Sequence, residues 1–203
     1  MAETALQMPT RRDRQRVETR ERLFLAACAE IDRVGLGEAQ IPRIARAAGV
    51  ARATFYFHFP TKEDVLEELV QRLQGGLTDS LAEIEPDAQP LREVIDKLLE
   101  RILLHRAYVG ESNLMREVLA LHVRRAQDSE PHEERGLPEA LAPHFEAAAR
   151  RGEIRTPIEP ERLSAILLAS MFGLLLGGQR AEDADLEEGL GVLADVFLRG
   201  LAA

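Results

Sequence analysis

The chain has 203 residues, 45% of them hydrophobic and 30% charged, with a formal net charge of −9 at pH 7. Its one cysteine, Cys28, excludes an intramolecular disulfide and a paired-thiol zinc or redox motif, and it suits a reducing cytoplasm. The net acidity argues against general affinity for nucleic acid.

The charge is unevenly spread. Residues 1–60 hold 10 Arg, no Lys and 7 Asp+Glu, a net of +3, whereas residues 61–203 hold 16 Lys+Arg and 28 Asp+Glu, a net of −12. A basic head on an acidic body points to nucleic-acid contact by the head alone. Arg11, Arg12, Arg14, Arg16, Arg20 and Arg22 cluster before and into the first helix. Residues 1–14 are expected to form a flexible basic arm. A phosphate-neutralising or minor-groove arm and a solvated tail are its two readings.

The first helix is expected over residues 17–34. Leu23, Phe24, Ala27, Ile31 and Val34 form its buried stripe, and Gly35 or Gly37 ends it. Cys28 falls on or beside that stripe and reads as a buried structural thiol. The LFLAACA run at 23–29 is too short for a secretory leader and is bracketed by Glu21, Arg22, Glu30 and Asp32.

A short amphipathic helix follows over residues 41–48, with Ile41, Ile44, Ala45 and Ala48 at helical spacing and Pro42 in its first turn. Gly49 supplies a left-handed helix end. A second short helix runs over residues 52–58, stopped by Pro60. Val50 and Phe55 are the expected core of this pair, a helix-turn-helix. Thr61 caps the next helix, with Asp64 at its third position. Residues 49–62, GVARATFYFHFPTK, therefore place Arg52, Thr54, Tyr56, His58 and Lys62 in one stretch. All five can donate hydrogen bonds to phosphates or base edges. Lys62 in the first turn opposes the helix dipole, which implies an outside partner such as phosphate. Arg43, on the preceding helix, is a further candidate DNA contact. Taken singly, Tyr56 reads equally as a core aromatic, and His58 and Lys62 as solvated side chains.

IPRIARAAG followed by GVARATFYFHFPTKEDVL resembles the DNA-binding domain of TetR-family transcriptional regulators over residues 15–70. The resemblance implies an all-α fold: an N-terminal three-helix helix-turn-helix DNA-binding domain at 15–61, then a larger ligand-binding and dimerisation domain at 62–203. It implies base reading at Arg52 and Ala53, and phosphate contacts at Thr54, Tyr56, His58 and Lys62. Two positions depart from the family pattern. Ala51 stands where Ser or Thr usually caps the recognition helix, and Gln40 where Thr usually opens the preceding one. Any phosphate contact at those two positions is in doubt.

Further helices are expected at 62–84, 91–109, 112–128 and 137–151, with a break at 86–90 and a polar loop at 128–138. A ligand pocket in this part needs an apolar lining with a few inward polar groups. His105, Tyr108, Met115, Arg116, His122, Met171 and Phe172 are its candidates. Residues 163–179 are uncharged and apolar all round, which marks a helix buried on all sides rather than a span of ~20 apolar residues. A last helix follows at 185–201. The two form an expected four-helix interface in a homodimer, through Leu167, Ser170, Met171, Leu174, Leu190, Leu193 and Phe197. Completion of the monomer core is the other reading.

His122, His132 and His144 lack metal-ligand spacing, and neither a Gly-rich phosphate loop nor GxSxG occurs. No enzymatic activity, metal or cofactor is expected. The combined reading is a cytoplasmic, homodimeric repressor, outside any membrane, that binds a palindromic double-stranded operator and is released by a small-molecule effector. A helix-turn-helix regulator answering to a protein partner and an all-helical enzyme or carrier are the alternatives.

Overall fold

The computed structural model describes residues 10–109, 113–128, 136–178 and 183–202. Among them are nine helices: α1 (Arg11–Val34), α2 (Ile41–Ala47), α3 (Arg52–His58), α4 (Glu63–Ala82), α5 (Leu91–Val109), α6 (Asn113–Asp128), α7 (Leu137–Arg150), α8 (Pro160–Gly177) and α9 (Asp183–Leu201). The helical pattern is the expected one, and the chain divides into two compact units. The first comprises residues 1–68 and 112–117, the second residues 69–111 and 118–203.

In the first unit, α1 begins earlier than the periodicity implies. Thr10 and Asp13 form a capping box, Asp13 N donating to Thr10 Oγ1 at 3.2 Å and Thr10 N to Asp13 Oδ2 at 3.0 Å. Residues 11–14, expected in a flexible arm, are therefore helical. Leu23, Phe24, Ala27 and Ile31 are buried, whereas Val34 is only half-buried. Gly35 ends α1 at φ 82°. Gly49 joins α2 to α3 at φ 69°, a conformation that strains any residue with a Cβ. Phe55 and Phe59 are fully buried, their ring centroids 5.8 Å apart, and Ile44, Ala45 and Leu66 are buried with them. The first residues of α6 also belong here. Glu117 Oε1 accepts from Leu36 N at 3.0 Å, and Asn113 Nδ2 donates to the Asp32 carbonyl at 2.8 Å.

The second unit is a bundle in which α7 packs on α8, α8 on α9, and α5 on both α7 and α9. Leu81, Ile95, Leu141, Phe145, Leu163, Leu167, Met171 and Leu190 form its core. The break at 86–90 is clamped by side chains. Arg151 donates to the Pro86 and Gln89 carbonyls at 2.9 and 2.8 Å, and Glu153 accepts from Leu91 N at 2.9 Å. By length and composition alone α8 would suffice to cross a membrane. It instead closes the bundle core with Leu163, Ser164, Leu167 and Met171, and the Ser164 hydroxyl returns to the Pro160 carbonyl at 2.9 Å. Ile166 and Leu174, expected on that buried face, are exposed.

Phe145 sits at the centre of this packing, with its ring 6.2 Å from that of Phe197. Phe145→Ala is expected to lower unfolding stability by about 3–5 kcal/mol, read from the urea midpoint. A loss under 1 kcal/mol would contradict the burial described.

Candidate nucleic-acid interface

Within the first unit α2 packs against α3, α1 reaches its C-terminal end through Arg20, and Phe55 is its buried side. Neither short helix has a side-chain cap: Gln40 and Ala51 occupy the cap positions without a capping hydrogen bond. A seven-residue helix is marginal alone, so its order derives from tertiary packing. Phe55 provides the inward anchor.

Arg20 adds a polar anchor. Its guanidinium donates to the His58 carbonyl at 2.5 Å, pairs with Glu68, and lies 4.3 Å from the Phe59 ring centroid. One side chain of α1 thereby fixes the C-terminus of α3 and the first turns of α4. Glu30 is a second buried polar support. It takes two hydrogen bonds from Arg33 and sits 3.5 Å from Arg43 Nε. Those bonds and the two cationic charges hold its carboxyl below the usual range, although burial opposes them.

The candidate contacts fall into three groups. Arg52, Ala53 and Tyr56 are exposed on α3, and Arg52 Nη2 donates to the Tyr56 hydroxyl at 3.2 Å. That bond orients both donors outward together. Thr54 and His58 are half-buried on the flank of the helix. Burial, then the charges of Arg20 and Arg16, push the His58 imidazole below its ordinary pKa, so it is neutral at pH 7. Arg43 and Lys62 have partners within the protein. Arg43 faces Glu30, and Lys62 Nζ donates to the Gly37 carbonyl at 2.7 Å and to that of Ala39 at 3.4 Å. Thr61 and Asp64 form the expected capping box, with Asp64 N donating to Thr61 Oγ1 at 3.2 Å and Thr61 N to Asp64 Oδ2 at 2.6 Å. The cation opposing the helix dipole is thus balanced by two carbonyls, and the need for an outside partner that its position implies is met internally.

A donor-based reading misses Arg20, Glu30 and Phe57. Arg20 and Glu68 are 48 positions apart, and no local pattern pairs them. Phe57 carries no donor, yet it is 68% exposed on α3.

The described candidates for a ligand pocket divide between the two units. Met115 and Arg116 belong to the first unit, where Arg116 is exposed and donates to Asn113 Oδ1 at 2.6 Å. Met171 is packed in the core of the second unit, and Phe172 is half-buried. The side chains of His105, Tyr108 and His122 lie outside the described residues. The second unit instead contains a half-open cavity of about 460 Å³ between α4 and α5. Leu77, Leu81, Ile84, Leu98 and Leu104 supply its apolar wall, and Ser80, Gln89, Lys97, Arg101, Glu83 and Glu100 its polar rim.

Of the expected dimer residues, Leu167, Met171 and Leu190 are buried within their own bundle and offer nothing to a partner. Ser170, Leu193 and Phe197 are half-buried, and Leu174 is exposed. The large apolar residues exposed on the described parts of these helices are Ile166, Leu174 and Leu176 of α8 and Val192 and Val196 of α9. Since α8 is apolar all round, periodicity could not distinguish its inner from its outer side.

Known proteins share this arrangement. Residues 23–69 match the family described as "Bacterial regulatory proteins, tetR family". The chain is 28% identical over 167 residues to the HTH-type transcriptional regulator BetI 1 of Chromohalobacter salexigens, a match spanning 80% of this chain and 79% of that one. It is 26% identical over 160 residues to the A-factor receptor protein of Streptomyces griseus, covering 79% of this chain but 55% of the receptor. Among solved structures, Thermus thermophilus FadR, a TetR-family repressor crystallised with lauroyl-CoA, superposes with a TM-score of 0.66 at 25% identity, over 91% of this chain and 95% of that one. The helix-turn-helix, its matched residues and the helical pattern agree: residues 23–69 form the DNA-binding domain of the TetR family of bacterial transcriptional regulators, and the rest of the chain shares the helical pattern of its relatives.

Proposed function

We propose that the chain is a homodimeric repressor that binds a palindromic operator through α3 and leaves it when a small molecule occupies the second unit. The observation that carries this reading is the outward side of α3, where Arg52 and Tyr56 are exposed and bonded to each other. In this reading Arg52 and Ala53 meet base edges, and Thr54, Tyr56 and His58 meet phosphates. Arg43 and Lys62, held by Glu30 and by two carbonyls, add positive charge near the backbone.

Dimerisation accounts for the exposed apolar side of α8 and α9. Ile166, Leu174, Leu176, Val192 and Val196 make a surface that water covers poorly. At Gly173 and Gly177 an added Cβ would meet nothing within 4 Å, so a partner helix has room to approach closely. Two recognition helices related by a twofold axis read two half-sites about 34 Å apart.

FadR was solved with lauroyl-CoA, and that ligand is FadR's own. In this chain the cavity between α4 and α5 supports an effector with an apolar body and a polar end. Leu77, Ser80 and Leu81 of its wall lie on α4, the helix whose Glu68 pairs with Arg20. A ligand that prefers one setting of α4 shifts the population of DNA-competent dimers.

Three tests follow from this reading. Affinity for an operator recovered from a random duplex pool is expected to fall steeply with salt. Arg52→Ala should cost about 1–3 kcal/mol on that operator and far less on scrambled DNA, by fluorescence anisotropy. Equal losses on both duplexes would remove Arg52 from base reading. The depressed His58 pKa sets a pH dependence. Phosphate beside the ring would favour its protonated form, so binding takes up a proton and affinity rises as pH falls from neutrality toward the depressed value of the free protein. Stability of the free protein moves oppositely: the unfolded state binds the proton more readily, so the His58 contribution is present above about 6.5 and is lost as pH falls through the lower folded value. His58→Gln should flatten both slopes, and unchanged slopes would refute the assignment. Finally, Val196→Glu should convert the dimer to monomer by analytical ultracentrifugation; a persistent dimer would place the interface elsewhere.

A further inference from the structure

Phe57 stands out once α3 is set on its helical wheel. With 3.6 residues per turn, residues two positions either side of Phe55 fall about 160° from it. Phe55 is the buried pole, so Ala53 and Phe57 form the outermost line of the helix. Ala53 is small and Phe57 projects beyond it. Its ring is 68% exposed, yet it is held: the Arg16 guanidinium lies 5.3 Å from the ring centroid, and the His58 ring meets it edge-on at 5.1 Å. A single exposed apolar side chain is ordinary on a protein surface. One fixed at the apex of a recognition helix, between a cation and an imidazole, is placed to touch whatever that helix enters.

Phenylalanine has neither donor nor acceptor to offer a base edge. In the major groove the apolar feature is the thymine 5-methyl group, which distinguishes thymine from cytosine. We propose that Phe57 reads the 5-methyl group of a thymine in each half-site, with Arg16 as a positioning residue that holds the ring and reaches an adjacent phosphate. This inference rests on the reading of α3 as the DNA-recognition helix. It assigns to the base-reading surface a residue that carries no hydrogen-bonding group.

The test uses the full-length protein and the duplex it enriches from a random-sequence pool. Each thymine of that duplex is replaced in turn by deoxyuridine, which removes the methyl and preserves pairing. The wild-type protein should lose affinity by about fourfold at one thymine per half-site, the loss expected for one apolar carbon. Phe57→Ala should bind the thymine duplex more weakly and be indifferent to deoxyuridine at that position. Arg16→Ala should lower the salt slope by about one and reduce the methyl preference without abolishing it, whereas an unchanged preference would remove its positioning role. Tolerance of deoxyuridine at every thymine by the wild type would overturn the proposal. A Phe57→Ala loss equal on enriched and scrambled duplexes would do so too, since it would leave the ring as a platform for Arg16 alone. Failure to enrich any sequence would overturn the reading of α3 itself, whereas enrichment without methyl preference would remove the Phe57 assignment alone.

Discussion

The geometry of the first unit depends on how a seven-residue helix without a side-chain cap is held in place. Burial of Phe55 and Phe59 supplies most of the answer, because two aromatic rings removed from water outweigh a missing cap worth about 1 kcal/mol. Apolar burial is not directional, however, and does not by itself fix the rotation of α3. Arg20 supplies direction. Its planar guanidinium bonds the His58 carbonyl and Glu68 while covering the Phe59 ring, so α1, the end of α3 and the start of α4 share one group. A lysine in its place could not make the planar stack and both bonds at once.

This lock also determines the chemistry nearby. Burial and the cation that fixes the backbone of His58 together keep its imidazole neutral, so His58 presents a neutral ring on the flank of α3. Lys62 shows the converse. Its ammonium is bonded to carbonyls at the end of the α1–α2 connection, so its charge is positioned at the cost of some of its hydrogen-bonding capacity. Surface donors in this unit are therefore graded. Among the described residues Arg52 and Tyr56 share a hydrogen bond with each other, whereas Arg43 and Lys62 are partly used in holding the fold.

Much of this was legible from the chain. Gly49 between two short amphipathic runs, Pro60 as a stop and the Thr61/Asp64 pair locate α2, α3 and the start of α4, because each signal acts within one or two turns. The same holds for the starts of α5, α7 and α8, which sit at or beside Pro90, Pro138 and Pro160. Pairings over long separations were not legible. Arg20 with Glu68, and Asn113 with Asp32, have no local signature. Nor was the inner side of α8, where leucines on every side remove the contrast that periodicity needs. A donor-centred reading likewise passed over Phe57, since its information is an absence of polarity at an exposed place. The start of α1 was missed for a different reason. Thr10 and Asp13 form a capping box ahead of arginine-rich turns, where no apolar stripe advertises a helix.

The outer side of α8 and α9 presents a related problem of contrast. A core helix and an interface helix have the same composition, and the difference between them lies in what remains exposed after the monomer packs. Leu163, Leu167 and Met171 are consumed by the bundle; Ile166, Leu174, Leu176, Val192 and Val196 are left over. Val192 and Val196 are the most exposed of these, at 54% and 65%, and contribute least to the bundle core. The apolar character of these exposed faces has no account in the packing of the monomer. A second copy supplies one, because it would bury the same side chains twice over in a symmetric contact. In the proposed reading the two ends of the chain follow one logic: apolar groups left exposed by the fold, Phe57 at one end and the α8–α9 surface at the other, are where the protein would meet a partner.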